Sequence, residues 1–443
     1  MRYRYTSILL ALLLGSGLLV AAQPEAEDDL PATAELKQQV NLPTLIRLGL
    51  QQSPRIKAAR AKWQAAIEKI PQAEALPDPR VMFDYFGESV ETRVGPQEYR
   101  YGLSQSFPWP GTLNQAGEVA AREVRIKHAD YEQAIRDLIV DLKMSYNELL
   151  YLRGAIEITR QNQELLNHIL KVANTEYAEG KAKFNDVLKA QSQIAQLGYD
   201  MILLRELEQV EIAKLNALLD LPTDFPLGEA EMPPVHLVKA DIATLTIIAL
   251  ETRQELEAAR GRVDKAEEAI RFAKMQNRPK FTVNAMQIAT GESDMNVDES
   301  GKDPWLVGIG ISIPLWFDRN RSRVREAELM RDAAIHATEA LENQTGSDVK
   351  SAYFRLENAR RLITLYDKTL IPQAKQAMEI AEQWNDRETR DVSGFLETQS
   401  VWLNFNLARL RAVTDYQQYK ARLERILGGP LPAATDEKKE VEQ

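Results

Sequence analysis

The side chains that most often bind metals or carry out catalysis are few and widely separated in this sequence. It has no cysteine, and its four histidines stand far apart, at His128, His168, His236 and His336. No Ser/His/Asp set, paired-carboxylate motif, HExxH sequence or phosphate-binding loop occurs. We therefore predict that the protein is not an enzyme, that it needs no cofactor and that it has no metal site. Each histidine is predicted to be a solvated helix or linker residue.

The overall charge is acidic, with 65 Asp and Glu residues against 55 Lys and Arg and a formal net charge of −10. No Lys/Arg cluster stands out, so we expect no nucleic acid as a partner. The absence of cysteine also excludes disulfides and a lipid-modified cysteine.

The N-terminus has the pattern of an export signal. Arg2 and Arg4 precede the apolar run Ile8–Val20, and small residues follow that run. A membrane anchor is the alternative, although a spanning helix needs about 20 apolar residues. We predict a signal peptide over 1–22 and a flexible segment over 23–41. Because no other segment is long and apolar enough to cross a membrane as a helix, any crossing would have to be made by strands.

The remainder of the chain contains one pattern twice. The stretch "LPTLIRLGLQQSPRIKAARAKWQAAIEKI", which begins at Leu42, corresponds to "IATLTIIALETRQELEAARGRVDKAEEAI", which begins at Ile242. Further on, Pro108 corresponds to Pro314. The predicted boundaries are a first repeat over 42–220, a Pro-rich linker over 221–238, a second repeat over 239–428 and a polar tail over 429–443.

Each repeat is predicted to contain a helix, two strands, a very long helix, a turn and a second helix. Alternation of apolar with small or polar residues predicts the four strands, at 80–86, 99–107, 280–290 and 305–313. Aromatic residues, which form girdles at membrane interfaces, flank these strands, at Tyr99, Tyr101, Trp109, Trp305 and Trp316. A soluble hairpin with one face on a core is the alternative interpretation of the strands alone.

The number of strands predicts an oligomer. A closed barrel needs about eight strands to fill its interior, and an open sheet in lipid would leave its edges unpaired. Three copies of the chain would supply twelve strands, enough for a water-filled lumen.

Two helix-like runs are too long for a globular domain of this size. Residues 114–175 and 320–383 would each extend about 90–100 Å, so we expect them to be paired along their length in a coiled coil. The shorter helices, placed end to end, match this length in both repeats. They are predicted at 186–219 with 42–72 and at 392–427 with 242–276. The turns between long and short helices, 177–185 and 385–392, would lie farthest from the strands.

The repeated order, the strand-to-helix junction "SQSFPWPG" and the turn pattern at Tyr177, Gly180, Asp186, Val187, Leu188, Ala190 and Gln191 resemble the TolC-like outer-membrane efflux proteins, or outer membrane factors, of Gram-negative bacteria. The resemblance covers 42–429. Within that family the "FPWPG" junction is more similar to the heavy-metal and cation efflux branch than to the multidrug members.

The resemblance implies a mainly α protein with a small β part, assembled as a homotrimer with a 12-stranded β-barrel and a 12-helix periplasmic tunnel. It implies a passive duct of a tripartite efflux system that exports metal cations or drugs across the outer membrane. The implied partners are two further copies of the chain, outer-membrane lipid, a periplasmic adaptor (membrane fusion protein) and an inner-membrane RND-type pump.

The resemblance also suggests site residues. The implied adaptor-docking tip consists of Tyr177, Gly180, Lys181, Asp186, Val187, Leu188, Arg387, Arg390, Gly394 and Leu396. Acidic side chains would narrow the tunnel mouth, at Asp186 and Glu397. The second repeat departs from the pattern, because Arg387 stands where the first repeat has Gly180.

Two further functions are compatible with the sequence. The chain could be a periplasmic coiled-coil scaffold with a soluble β-domain, or the outer-membrane exit duct of a type I protein secretion system.

Overall fold

The computed structural model describes residues 31–230, 241–384 and 392–432. The predicted signal peptide lies outside these residues, as do Arg387, Arg390, His236 and most of the predicted tail. The helices in the described ranges are α1 (Pro31–Gln38), α2 (Leu42–Gln52), α3 (Pro54–Ile67), α4 (Lys69–Glu74), α5 (Thr112–Ala178), α6 (Phe184–Leu219), α7 (Ile242–Thr252), α8 (Gln254–Gln276), α9 (Phe317–Leu365), α10 (Ile371–Trp384) and α11 (Val392–Leu427). The strands are β1 (Gln39–Val40), β2 (Arg80–Thr92), β3 (Gly95–Phe107), β4 (Glu229–Ala230), β5 (Lys280–Thr290) and β6 (Trp305–Ser312).

Four strands form one antiparallel sheet with the order β2-β3-β5-β6. The hairpin of the first repeat joins the hairpin of the second along β3 and β5, where Phe107 lies opposite Phe281. The first hairpin extends beyond its predicted strands, because pairing resumes after an irregularity between Tyr85 and Val90. The sheet ends at β2 on one side and at β6 on the other.

The two faces of this sheet differ in chemistry. Since directly paired residues share a face, the register collects the apolar side chains on one side. That face carries Val81, Phe83, Tyr85, Tyr99, Tyr101, Leu103, Phe281, Val283, Trp305, Val307, Ile309 and Ile311. The opposite face carries small and polar residues such as Gly102, Ser104, Asn284, Gly308 and Gly310. The apolar face is not covered by the chain itself, since Val81 is 81% exposed and Ile309 77%.

Long helices extend from the ends of β3 and β6. Helix α5 has 67 residues, which corresponds to about 100 Å. The matching element of the second repeat is interrupted by a π-helical turn, Tyr366–Leu370, between α9 and α10. Pro372 follows this turn and has no N–H for an i→i−4 hydrogen bond, which accounts for a local change of helical pitch here. None of the helices in the described residues combines the length and hydropathy that a membrane span requires.

The predicted helices over 42–72 and 242–276 are each broken, so their prediction as single helices was wrong. In the first repeat the chain is extended at Ser53 (ψ 121°), as expected before Pro54. In the second repeat the break falls at Arg253 (ψ 124°). The Thr252 hydroxyl there donates a 2.6 Å hydrogen bond to the carbonyl of Leu427. The last helix, α11, therefore meets the second repeat's shaft at the α7–α8 junction.

The prediction of a flexible segment over 23–41 was wrong from Pro31 onward. There α1 and β1 pack on the first repeat, with Leu36 and Val40 buried in its core. Strand β1 pairs in parallel with β4 of the linker. The composition of this segment is polar, so its few apolar anchors gave no periodic signal.

The helical shaft has separate apolar clusters along its length. One lies in each repeat near the helix breaks, and includes Leu142 and Leu215 in the first and Tyr416 and Leu423 in the second. A third cluster lies at the end remote from the sheet and joins both repeats.

Candidate functional site

The turn between α5 and α6 closes the end of the first repeat that is remote from the sheet. The backbone of Gly180 has φ +75°, in the left-handed region that glycine adopts at helix ends. Its N–H donates to the carbonyl of Tyr177 at 3.0 Å, and the N–H of Lys181 donates to the carbonyl of Glu176 at 2.8 Å. A side chain at Gly180 would meet no atom within 4 Å, so the backbone angle is what favours glycine.

Helix α6 begins at Phe184, two residues earlier than its predicted start at residue 186. The carboxylate of Asp186 instead accepts a 3.3 Å hydrogen bond from the backbone N–H of Lys183. It thus satisfies one backbone donor and places a negative charge at the positive end of the helix dipole. Asp186 therefore has a structural role as a capping residue at the start of α6. This role is separate from the one predicted for it at the tunnel mouth.

Apolar side chains at this tip are divided between surface and core. The rings of Tyr177 and Phe184 lie 5.5 Å apart between centroids. Phe184 is 54% exposed, and Tyr177 and Leu188 are also exposed. Val187 is buried, so it packs inside the tip and is not available at its surface. Phe184 was not predicted as a site residue; its position, an aromatic residue in a short polar turn, was the available signal.

The second repeat contributes the start of α11 to the tip. Leu396 is only 1% exposed and belongs to the apolar cluster that joins both repeats, together with Val187, Ala190 and Val392. The carbonyl of Gly394 accepts a 2.9 Å hydrogen bond from the hydroxyl of Thr398. Leu396 is therefore a core residue and does not form part of an accessible docking surface.

The two carboxylates predicted to narrow the tunnel mouth, Asp186 and Glu397, have a basic neighbour, Lys189, that was not predicted as a site residue. The ammonium group of Lys189 lies 3.7 Å from a carboxylate oxygen of Glu397 and donates a 2.5 Å hydrogen bond to the hydroxyl of Ser393. Lys189 follows Asp186 by three residues, which puts the two on neighbouring positions of one helix face. The charge at this position is consequently mixed.

A buried pair of side-chain amides connects the two repeats about one helical turn beyond Leu396, on the side away from the tip. The side-chain amide of Gln399 donates a hydrogen bond to the amide oxygen of Asn162 on α5. Both side chains are buried. Because an unpaired buried amide is costly, this pair fixes how α11 sits against α5.

The three histidines in the described ranges do not come together with other potential metal ligands. In the described residues no group of three or more His, Asp or Glu side chains could hold a metal ion. His128 lies edge-on to the ring of Trp63, with centroids 4.8 Å apart. His336 contacts Glu339 at 3.0 Å, and this hydrogen bond with the nearby negative charge raises the pKa of His336.

The flanking aromatics lie at the two ends of the sheet. At the end next to the helices, Trp109 stacks on Phe281 with centroids 5.9 Å apart, and Trp316 is exposed. Trp305 is exposed at the other end. The hydroxyl of Tyr101 lies 3.0 Å from the amide oxygen of Gln287 and donates to it.

The sequence model of the family described as outer membrane efflux protein matches residues 45–219 and 246–429. These two ranges cover most of both repeats. The chain belongs to this family. The resemblance inferred from the turn and junction motifs is therefore confirmed.

Individual members of the outer membrane efflux protein family are distant in sequence. The pyoverdine export outer membrane protein OpmQ of Pseudomonas aeruginosa is 25% identical over 341 residues, which cover 74% of this chain and 69% of that protein. The crystal structure of VceC from Vibrio cholerae has a TM-score of 0.73 at 20% identity and covers 88% of this chain and 97% of its own. A crystal structure of CusC has a TM-score of 0.76 at 16% identity, over 88% and 92%.

These structural similarities show the fold. The mainly helical chain with a small sheet, as predicted, matches solved outer-membrane efflux channels along nearly its whole described length.

Proposed function

We propose that this chain is one subunit of a homotrimeric duct in the outer membrane of a Gram-negative bacterium. The duct would be passive and would conduct small solutes from a periplasmic pump complex to the exterior. The observation that carries this proposal is the open four-stranded sheet, which has an exposed apolar face and two edges, β2 and β6, with no partner among the described residues.

The direction of the edge strands supports assembly from identical copies. Adjacent strands alternate in direction across the sheet, so β6 of one copy and β2 of the next would also be antiparallel. Three copies give twelve strands and remove every edge, as lipid requires. The small and polar face would then line a lumen wide enough for water.

The shaft offers a second surface for a copy of the chain. Helix α6 buries one apolar stripe in its own repeat, yet Tyr199, Ile202 and Val210 remain exposed. Tyr199 and Val210 are separated by eleven residues, three helical turns, and so lie on one face. Packing of a neighbouring subunit would bury this stripe.

The proposed partners follow from the two ends of the molecule. Lipid would surround the sheet, and the tip formed by Tyr177, Phe184 and Leu188 would contact a periplasmic adaptor joined to an RND-type inner-membrane pump. The cargo would be a metal cation or a drug. A duct need not bind its cargo, so the scattered histidines are compatible with either. Deleting the gene and comparing tolerance to copper, zinc, silver and a drug panel would identify the class.

Paired cysteines test the trimer, because the natural chain has none. Variants with one cysteine in Arg80–Thr92 and one in Trp305–Ser312 should form disulfides between subunits, up to a three-subunit product. The control pair Leu103→Cys with Ala285→Cys joins residues that face each other inside one sheet and should give a single-subunit product only.

The proposal also predicts a conducting pore when the purified protein is added to planar bilayers. It is overturned if the protein has the mass of one subunit in mild detergent and gives no inter-subunit product at any edge position. Release from envelopes without detergent would instead favour the periplasmic scaffold.

A further inference from the structure

The two ends of the sheet carry opposite charge. The loops at the end remote from the helices are acidic: 87–98 has three Glu and one Arg, and 291–303 has five Asp or Glu and one Lys. At the end next to the helices, 313–325 has four arginines and one aspartate. This basic cluster does not stand out in the sequence, because the arginines alternate with neutral residues. Further basic residues stand at the same end where strands begin, at Arg80, Arg278 and Lys280.

The basic cluster continues directly from the apolar face of the sheet. Beyond β6 the chain exposes Ile313, Leu315, Trp316 and Phe317, and the last two are 70% and 72% exposed. Arg319 follows within one turn of α9 and lines a shallow surface hollow together with Leu315, Trp316, Phe317 and Asp318. Apolar side chains, an exposed tryptophan and a guanidinium group thus lie side by side.

Two of the four arginines are bound by protein groups, and the other two have no such partner within the described residues. Arg323 donates to the side-chain oxygen of Asn277 at 3.0 Å, and Arg325 pairs with Glu328 at 3.2 Å. Arg319 and Arg321 are exposed and have no carboxylate within 4.0 Å in the part of the chain that the structure describes.

The backbone that presents these arginines is fixed. The side-chain amide of Asn320, which is buried, donates to the carbonyl of Pro314 at 3.0 Å. The carbonyl of Asn320 in turn accepts a 3.0 Å hydrogen bond from the side chain of Asn277. Asn320 therefore holds the start of α9 against the end of α8, while its neighbours Arg319 and Arg321 are exposed.

We infer that Arg319 and Arg321, with Trp316 and Phe317, form a binding site for the phosphate headgroups of anionic phospholipids in the leaflet next to the helices. We call these four residues the headgroup site. The inference rests on the proposed function, since it requires the sheet to cross a bilayer. One guanidinium group can donate two parallel hydrogen bonds to the oxygens of a phosphate. Basic residues beside a membrane segment also attract anionic lipid. Tryptophan is enriched at the same depth.

The site belongs to the second repeat alone. The equivalent junction of the first repeat, "FPWPGTLNQAGEVA", contains no basic residue. Each subunit would accordingly hold one anionic headgroup at this position. An acidic surface of a neighbouring subunit is the competing occupant, and the experiment below separates it from lipid.

The test uses the full-length protein in detergent with an equimolar mixture of phosphatidylglycerol and phosphatidylcholine. Native mass spectrometry counts the lipid molecules of each kind that remain bound. We expect phosphatidylglycerol to be retained preferentially, and the preference to fall on the order of fivefold for each arginine lost in Arg319→Gln and Arg321→Gln. The control, Arg355→Gln with Arg361→Gln, changes charge in the same way on exposed positions of α9 that lie about 54 and 63 Å from Arg319, and it should keep the preference.

A second measurement locates the lipid. Ser322→Cys, on the exposed side of α9, allows one bimane label per subunit. Brominated phosphatidylglycerol in reconstituted vesicles should quench this label more than brominated phosphatidylcholine, and Arg319→Gln should remove the difference.

Equal retention of both lipids by a protein that still conducts in bilayers overturns the headgroup site and leaves the duct intact. An unchanged lipid count combined with loss of trimer in Arg319→Gln assigns these arginines to the subunit interface and also overturns it. A protein that neither inserts nor conducts overturns the proposed function, and the headgroup site with it.

Discussion

The guanidinium group of Arg425 holds the carboxylate of Glu255 through two hydrogen bonds, of 2.7 and 3.1 Å. Arg425 lies near the end of the last helix and Glu255 at the start of α8, so the pair secures the junction where these helices meet. The same guanidinium also pairs with Asp137 on α5. One side chain thereby connects the two repeats in the middle of the shaft.

Replacing Arg425 by glutamine should lower the free energy of unfolding by about 2–3 kcal/mol, because two partly buried carboxylates lose a shared cation. Guanidinium denaturation followed by circular dichroism in detergent measures the change. Arg160→Gln is the matched control. Arg160 pairs with Glu157 and Glu164 on the surface of α5, where ion pairs contribute little, and its midpoint should not move. Equal midpoints for both variants would contradict the role of Arg425.

The Arg425–Glu255 pair also predicts an acid-sensitive contribution to stability. Burial alone would raise the pKa of Glu255, but hydrogen bonds and charge from Arg425 outweigh it, so the pKa lies below its ordinary value of 4.5. A lowered carboxyl pKa stabilises the fold above 4.5, and this stabilisation is lost as pH falls through the lower, folded-state pKa. Glu255→Gln should thus melt at a lower temperature than the natural protein at pH 7, and the gap should narrow below pH 4.5. A gap that is constant with pH would refute this assignment.

Gly428 should be intolerant of a side chain. Its φ is +70°, and a β-carbon there would come within 2.3 Å of the carbonyl oxygen of Thr252. The left-handed backbone alone costs about 1–2 kcal/mol for an L-residue, and the contact would displace α7 in addition. Gly428→Ala should reduce the thermal midpoint clearly. Gly429→Ala, where a β-carbon meets nothing within 4 Å, should not; similar losses in both would show that the contact with Thr252 does not matter.

The exposed apolar residues at the tip give a prediction about partners. Phe184→Ser and Leu188→Ser should weaken binding of the adaptor several-fold while leaving the melting temperature nearly unchanged, because both side chains are exposed. Leu396→Ala should instead lower the melting temperature, since truncating a buried leucine costs about 2–5 kcal/mol of stability. Surface plasmon resonance against the cognate adaptor and thermal melting separate the two effects. Unaltered adaptor affinity in the Phe184 and Leu188 variants would remove them from the docking surface.

The predicted narrowing of the tunnel mouth by Asp186 and Glu397 is best tested without disturbing the turn. Asp186→Ala would remove both a charge and a helix cap, whereas Asp186→Asn keeps an oxygen that can accept from Lys183. We expect Asp186→Asn and Glu397→Gln to alter block by divalent cations in single-channel recordings, and Lys189→Gln to strengthen that block by exposing the carboxylate of Glu397. If all three variants have the conductance and the divalent-cation block of the natural protein, these residues do not line the narrowest part of the duct.

Features with strong periodicity could be predicted from the sequence. The boundaries of α11 coincide with the predicted 392–427, because its apolar repeat continues to Leu427 and glycines follow. The face alternation of β6 was equally clear. Both signals are local, and the residues that produce them lie next to one another in the chain.

Other features depended on contacts distant in sequence. No proline marks the helix break at Arg253 in the sequence. The break is stabilised by hydrogen bonds from Arg253 to Thr345 and Asp348 on another helix. The family pattern identified the carboxylates of Asp186 and Glu397 but not Lys189. Lys189 is far from Glu397 in sequence, and only the packing of α6 beside α11 brings the two together. The turn of the second repeat at Arg387 and Arg390 stays a prediction, because it lies outside the described residues.

The parallel pairing of β1 with β4 bears on the order in which the protein matures. Residues 39–40 pair with a strand about 190 residues further along the chain. The carbonyl of Leu36 likewise accepts a hydrogen bond from the N–H of Gly228. A chain that emerges amino end first cannot form this strand pair until the whole first repeat has been delivered. Closure of the β1–β4 pair therefore marks the completion of that half of the molecule.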